Sequence, residues 1–155
     1  MNMIILKYLI PCLILSIGTG ALSGLIISGD IYYYTLLDKP PLSPPPFVFP
    51  VVWTVIYILI GIAHYIVHIS HSEAREAALK SYYAQLLVNF LWPILFFKLK
   101  LLFVSAAWII LLIVLTVKTA KRFSGINKTA GTLFVPYIVW LVFAAYLNIG
   151  VWALN

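Results

Sequence analysis

Apolar runs long enough to cross a lipid bilayer fill most of this sequence and leave little else for it to fold into. They cover approximately residues 4–28, 47–68, 82–97, 101–117 and 129–153. A helix needs about 20 apolar residues to cross the hydrocarbon. Only 9% of the chain is charged, against about 25% in a typical soluble domain. The sequence therefore predicts a single all-α integral membrane domain over residues 1–155, folded as a bundle of five transmembrane helices.

Basic residues are distributed unevenly between the two ends of the predicted bundle. If the N-terminus lies inside, the inner side carries Lys7, Arg75, Lys80, Lys118, Lys121, Arg122 and Lys128, and the outer side carries Lys39, Lys98 and Lys100. An excess of Lys and Arg on the inner side is the usual signal of membrane orientation. We therefore predict that the C-terminus and the loop 29–46 lie outside. We assign the net charge of +6 to topology and not to nucleic-acid binding.

Polar and aromatic side chains share single helical faces on the second, third and fifth predicted spans. These faces are Trp53, Tyr57, Gly61 and His64; Gln85, Asn89, Trp92 and Phe96; and Tyr137, Trp140, Ala144, Leu147, Asn148 and Val151. Because an unpaired amide in hydrocarbon is costly, Gln85, Asn89 and Asn148 are predicted to point into the bundle. They either join helices by hydrogen bonds of about 1 kcal/mol or are the few polar groups of an aromatic-lined pocket for a flat apolar ligand. The spacing alone leaves both interpretations open.

Small residues recur at every fourth position of the first predicted span. They are Ser16, Gly20, Gly24 and Ser28. Such a stripe lets another helix approach closely. The partner helix could belong to the same chain or to a second copy, and the sequence does not decide between them.

The titratable residues do not form a catalytic or metal-binding pattern. His64, His68 and His71 lie on one helical stripe, but their nearest carboxylates, Glu73 and Glu76, fall in the following loop. A position at the membrane interface explains these histidines, so we predict no metal site. The four carboxylates lie near or outside the ends of the spans, which argues against an ion-coupled transporter with an ionisable group inside the membrane. No catalytic residue is predicted either.

Three motifs, in order on separate spans, resemble those of the TspO/MBR family, which comprises the tryptophan-rich sensory proteins and the translocator protein. Residues 33–57, YYTLLDKPPLSPPPFVFPVVWTVIY, resemble the family's W-Y-x-x-L-x-K-P-x-W-x-P-P segment and the V-W-x-x-x-Y that follows it. Residues 85–97, QLLVNFLWPILFF, are similar to its Q-L-x-x-N-x-x-W-x-x-x-F-F. Residues 136–148, PYIVWLVFAAYLN, match its P-Y-x-x-W-x-x-F-A-x-x-L-N. The resemblance covers nearly the whole chain and points to a bacterial cell membrane.

The resemblance implies a five-helix bundle whose first loop, residues 29–46, closes a pocket at one membrane face. Six of the nine prolines lie between residues 38 and 53. They would restrict this loop in advance and reduce the entropy lost when a ligand is held. Family ligands include porphyrins, haem-type tetrapyrroles and isoquinoline- or benzodiazepine-class drugs, and no obligatory cofactor is implied. By matching positions, the candidate ligand-binding residues are Tyr34, Pro44, Trp53, Tyr57, Asn89, Trp92, Phe96, Trp140, Phe143, Ala144 and Leu147.

The expected function is therefore that of a membrane-embedded, homodimeric binding protein for flat apolar ligands of the porphyrin type, acting as a sensor, scavenger or carrier. Asn89 would orient the ligand by a hydrogen bond, and Trp53 and Trp140 would stack on its face. Some bacterial members degrade porphyrin in light, with tryptophans implicated. Tyr33 and Leu42 stand where the family commonly has tryptophans, which disfavours that enzymatic alternative. A regulatory or structural membrane partner with a vestigial pocket is the third hypothesis.

Overall fold

The computed structural model describes residues 3–155, with side chains from Leu6 onward, and its regular structure is entirely helical over that range. The elements are α1 (Met3–Ile27), α2 (Tyr32–Leu36), α3 (Val48–His68), α4 (Arg75–Pro93), a π-helical turn (Ile94–Lys98), α5 (Leu102–Ile126), α6 (Lys128–Thr132) and α7 (Val135–Leu154). The all-α prediction is confirmed.

Four helical segments of the described chain are long and apolar enough to cross a membrane. They are Leu6–Ile27, Val48–His68, Leu102–Ile126 and Lys128–Leu154, the last of which combines α6 and α7. The helix α4 is not among them, because charged residues occupy its first turns and amides interrupt its apolar run. The chain is thus an all-helical integral membrane protein. Length and composition identify four spans and do not identify α4 as a fifth.

Two helices extend well beyond the apolar runs that predicted them. The predicted span 82–97 begins seven residues after the start of α4 at Arg75, and the predicted span 101–117 ends nine residues before the end of α5 at Ile126. Apolar runs mark membrane depth, whereas a helix continues as long as its backbone hydrogen bonds do. Arg122 ties these two extensions together, since its guanidinium donates to the carbonyl oxygen of Ala77 at 2.9 Å.

The helices α1 and α3 pack closely where small residues meet. The Gly61 position lies against Leu13 and Ser16 of α1, and the Gly20 position lies against the ring of Tyr57, so that no side chain fits at either glycine without displacing a neighbour. Two members of the small-residue stripe, Ser16 and Gly20, therefore serve packing within one chain. By contrast, a Cβ atom added at Gly24 would have no atom within 4 Å.

The proline-rich segment between α2 and α3, residues 37–47, is called the strap below. It is held to the end of α7 by side-chain hydrogen bonds. The Asn155 side chain accepts from the backbone N–H of Asp38 at 3.0 Å and donates to its carbonyl oxygen at 2.9 Å. The Tyr146 hydroxyl donates to the carbonyl oxygen of Pro41 at 2.7 Å. These contacts close the end of the bundle at which α1 and α7 terminate.

Candidate functional site

A cavity of about 470 Å³ lies below the strap between α1, α3, α4 and α7. Most of the candidate ligand-binding residues line it, namely Tyr34, Trp53, Tyr57, Asn89, Trp92, Phe96, Ala144 and Leu147. A volume of this size falls within the range of about 300–1,000 Å³ that is typical of small-molecule sites. The three motifs that resemble the family therefore converge on one space, although they lie on three separate helices.

Aromatic rings form one side of the cavity. The ring centroids of Trp53 and Trp92 are 6.4 Å apart with an interplanar angle of 33°, and Phe96 stacks on Trp92 at 5.8 Å and 30°. The Tyr57 ring is inclined by 31° to Trp53 at 5.7 Å. Rings at such small mutual angles offer an extended apolar surface against which a flat molecule can stack.

A chain of hydrogen bonds runs from the cavity wall into the bundle core. The Tyr57 hydroxyl donates to Asn89 Oδ1 at 2.5 Å, and Asn89 Nδ2 donates to the Tyr137 hydroxyl at 2.5 Å. Tyr137 in turn donates to Gln85 Oε1 at 3.2 Å. Tyr57 and Asn89 line the cavity, whereas Tyr137 and Gln85 lie behind it with no exposed surface. The amides of Gln85 and Asn89 therefore point inward as predicted. Their hydrogen bonds join α3, α4 and α7, and Asn89 also supplies a polar group to the cavity.

A second polar connection lies in the same wall. The Trp92 indole donates to Asn148 Oδ1 at 3.4 Å, and Asn148 Nδ2 donates to the hydroxyl of Ser105 on α5 at 3.1 Å. Asn148 also lines the cavity. This hydrogen bond orients the Trp92 ring, which is therefore fixed by its indole N–H as well as by packing.

The end of the cavity next to the strap is closed by Tyr34 of α2. Its ring packs edge-on against Phe49 at 5.7 Å and contacts Phe96 at 6.3 Å, and the Lys39 ammonium lies 5.0 Å above it. Burial raises the pKa of Tyr34 above its ordinary value, and the phenol is neutral. Tyr34 therefore presents a neutral, amphipathic ring at the closed end.

Three candidate residues do not line the cavity: Pro44, Trp140 and Phe143. Trp140 packs edge-on against Phe49 at 5.9 Å, and Phe143 contacts Trp140 at 5.5 Å. Phe49 does line the cavity, so Trp140 forms a second layer behind it and Phe143 lies beyond that layer. A ligand in this cavity would meet Phe49 where the resemblance implies Trp140.

Among the lining residues that the sequence did not indicate, α1 contributes the largest group. Gly20, Ala21, Ser23 and Gly24 line the cavity, although none of the three motifs includes this helix. Gly20 and Gly24 belong to the small-residue stripe, which we assigned to helix packing, whereas Ala21 and Ser23 carry no sequence signal. The stripe in fact has two roles, since Gly20 meets Tyr57 whereas Gly24 borders open space.

The histidines of α3 do not line the cavity and form a separate cluster with aromatic residues. The ring of His64 stacks on Tyr82 at 4.5 Å, and its Nε2 atom lies 3.2 Å from the Tyr83 hydroxyl. His68 lies 5.8 Å from His64, ring to ring. Over residues 3–155, His, Cys, Asp and Glu side chains do not gather in threes around any point that could hold a metal ion.

The sequence as a whole matches a known protein family. The sequence model of the TspO/MBR family matches residues 12–153, which is most of the chain. The chain belongs to the TspO/MBR family. The matched region includes residues 12–27 of α1, a helix that none of the three motifs covers, together with the other helices that line the cavity.

Relatives from bacteria and mammals resemble the chain over most of its length. A protein named tryptophan-rich sensory protein from Cereibacter sphaeroides is 34% identical, covering 100% of this chain and 95% of the relative. A protein named tryptophan-rich protein TspO from Chlorobaculum tepidum is 35% identical over 80% of each. The translocator protein of Sus scrofa is 31% identical, covering 92% of this chain and 86% of the relative.

Leu42 and Tyr33, which stand where the resemblance implies tryptophans, lie outside the cavity lining. Leu42 is at the tip of the strap with 81% of its surface exposed and a positive φ of 68°. Tyr33 faces the Lys100 ammonium, which lies 4.9 Å from its ring centroid. The tryptophans that do line this TspO/MBR cavity are Trp53 and Trp92.

Proposed function

We propose that this TspO/MBR protein binds flat, largely apolar molecules of the porphyrin or tetrapyrrole type in the cavity below the strap, as a sensor, scavenger or carrier. The single observation that carries the proposal is the composition of the cavity wall. An extended aromatic surface built on Trp53 and Trp92 stands beside the hydrogen-bonded pair of Tyr57 and Asn89. The names of the relatives, which include sensory and translocator proteins, agree with it.

The wall suits a ligand that is apolar on its faces and polar at one edge. A macrocycle can stack on the Trp53 and Trp92 rings while its edge meets the amide of Asn89, whose second amide hydrogen is not used by Tyr137. The lining contains no His or Cys. A metal carried by the macrocycle would therefore gain no axial ligand of those types, and binding would rest on the ring itself.

The proposal includes a fifth membrane span formed by α4. Its low mean hydropathy arises partly from Gln85 and Asn89, which have at most 2% of their surface exposed and point into the bundle. Buried amides with partners do not face lipid, so they do not prevent a helix from crossing. The charged residues Arg75, Glu76 and Lys80 lie in the first two turns, where they would extend past the hydrocarbon.

The test is a comparison of two tryptophan-to-leucine variants in nanodiscs titrated with protoporphyrin IX in the dark. Trp53→Leu is expected to weaken binding by about 3–10-fold, because an aromatic contact contributes about 0.5–1.5 kcal/mol beyond the area that it buries. Trp152→Leu is the matched control, since Trp152 is 44% exposed on α7 and packs on Phe103 outside the cavity. The measurement is the shift of the porphyrin Soret band, which does not depend on protein fluorescence.

Equal affinities for Trp53→Leu, Trp152→Leu and the wild type would contradict the assigned site. If the wild-type protein bound no flat apolar ligand at all, the hypothesis of a regulatory or structural partner with a vestigial pocket would replace the proposal. In that case, substitutions on the small-residue face of α1 would have larger effects than substitutions in the cavity.

The position of Trp53 and Trp92 also favours a second candidate, light-dependent porphyrin degradation, since tryptophans are implicated in that activity by the family resemblance. Under illumination with oxygen present, loss of tetrapyrrole absorbance that is absent in the dark would support this activity. We expect Trp92→Phe to slow such a loss more than Trp140→Phe, because Trp140 lies behind Phe49. An unchanged absorbance after prolonged illumination would leave binding as the function.

A further inference from the structure

We propose that ligands enter and leave the cavity sideways, from the bilayer, through a gap between α1 and α3, and not past the strap. This inference rests on the proposed function, because it assumes that the cavity binds a ligand. The gap, called the portal below, is bordered by Ala21 and Gly24 on α1 and by Pro50 and Thr54 on α3.

The four portal residues combine two properties. Ala21, Gly24, Pro50 and Thr54 line the cavity, and each of them is also exposed. Exposed residues in the lining are expected where a cavity opens between two helices. A Cβ atom added at Gly24 would meet no atom within 4 Å, which shows that α3 does not fill the space beside this glycine.

The portal is confined to the half of the two helices nearest the strap. One turn further along α1, Gly20 lies against the Tyr57 ring, and beyond it Gly61 lies against Ser16 and the backbone of Leu13. A side chain cannot be inserted at Gly20 or Gly61 without displacing these neighbours. The helices thus touch at Gly20 and Gly61, whereas no atom of α3 lies against the Gly24 position, and this open place borders the cavity.

The portal faces the hydrocarbon of the membrane. Its four residues belong to or adjoin the apolar segments Leu6–Ile27 and Val48–His68. The only side-chain polar group among them, the Thr54 hydroxyl, donates to the carbonyl oxygen of Pro50 at 2.7 Å. A flat apolar molecule dissolved in the bilayer would therefore meet no unpaired polar group at the entrance.

The route past the strap is closed more firmly. Lifting the strap from α7 would break the two hydrogen bonds between Asn155 and Asp38 and the bond from Tyr146 to Pro41. It would also separate Pro40 from α7, where the ring fits against Gly150. Passage between α1 and α3 breaks no side-chain hydrogen bond between those helices, because none of the portal residues makes one.

The experiment measures exchange rates of protoporphyrin IX between phosphatidylcholine vesicles and the reconstituted full chain. In the variant Gly24→Trp, association and dissociation are both expected to slow by about tenfold or more, since the indole fills the portal. Leu25→Trp is the matched control, because Leu25 is the next residue, is 71% exposed and does not line the cavity. It is expected to exchange at the wild-type rate. An indole that entered the cavity and competed with the ligand would instead accelerate dissociation, and that result would overturn the portal.

A second arm tests the strap directly. Asn155→Ala removes both hydrogen bonds to Asp38 and is expected to change the exchange rates by less than about twofold. Faster exchange in Asn155→Ala, together with wild-type rates in Gly24→Trp, would overturn the proposal in favour of the strap. If Gly24→Trp does not fold, Thr54→Trp blocks the same portal from α3 and carries the same expectations. Absence of binding to the wild-type protein would overturn the proposed function itself, which distinguishes the two failures.

Discussion

Replacing Asn89 by leucine is expected to lower the free energy of unfolding by about 2–4 kcal/mol, the sum of one stranded buried hydroxyl at about 1–3 kcal/mol and one lost hydrogen bond at about 1 kcal/mol. Asn89 accepts from Tyr57 and donates to Tyr137. In Asn89→Leu the Tyr57 hydroxyl loses its acceptor in an apolar wall. Tyr137 keeps its bond to Gln85 Oε1, so only one of the two hydroxyls is stranded.

The double variant Asn89→Leu/Tyr57→Phe separates this explanation from a simple packing effect. Removing the stranded hydroxyl is expected to restore about 1–2 kcal/mol of the loss, because replacing both partners of a buried hydrogen bond by apolar groups costs less than removing one. The measurement is unfolding in mixed micelles with increasing SDS, followed by helical circular dichroism. A double variant that is less stable than Asn89→Leu alone would show that the hydrogen-bond chain does not determine the stability of this wall.

The inward direction of the amides could be predicted because two physical rules act together. Gln85 and Asn89 are one helical turn apart on the same face. The hydrocarbon outside the bundle offers an unpaired amide no hydrogen-bond partner. Any five-span arrangement would therefore bury them. Their partners could not be predicted, since the meeting of Asn89 with Tyr57 and Tyr137 depends on how α3, α4 and α7 cross.

The cavity side of α1 could not be predicted for a different reason. Gly20 and Gly24 are chemically identical, and their positions in the small-residue stripe are equivalent. Gly20 meets the Tyr57 ring while Gly24 borders open space, and this difference depends on where the side chains of α3 lie, which the sequence of α1 does not report. A small residue in a helix is compatible with close packing of another helix and also with an empty space beside it. The sequence does not distinguish between these two cases.

Trp140 shares a helical face with cavity-lining residues of α7, but a residue of α3 separates it from the cavity. Trp140, Ala144 and Leu147 share one face of α7, and the periodicity correctly groups them. The ring of Phe49 from the start of α3 packs against Trp140, so of these three residues only Ala144 and Leu147 reach the cavity. No feature of the α7 sequence reports that a ring from another helix occupies this place.

Filling the cavity from α7 is expected to have the largest effect on ligand binding. Ala144 is 4% exposed and lines the cavity opposite α1. In the variant Ala144→Trp, the indole would occupy space that a flat ligand needs, and the affinity for protoporphyrin IX is expected to fall by about 100-fold or more, which corresponds to about 2.8 kcal/mol. The measurement is a Soret titration of the reconstituted protein in the dark.

The matched control for this steric argument is Val142→Trp. Val142 lies two residues away on the same helix with 56% of its side chain exposed, and it does not line the cavity. The same indole placed there is expected to leave the affinity within about twofold of the wild type, since it faces lipid and fills no binding space.

Because Ala144→Trp fills an existing cavity and does not overpack a filled core, its melting temperature should not fall below that of Val142→Trp. Equal losses of affinity in the two variants would mean that the indole acts on the fold and not on the cavity. Wild-type affinity in a folded Ala144→Trp protein would place the ligand elsewhere, because the cavity cannot hold the indole and a macrocycle together.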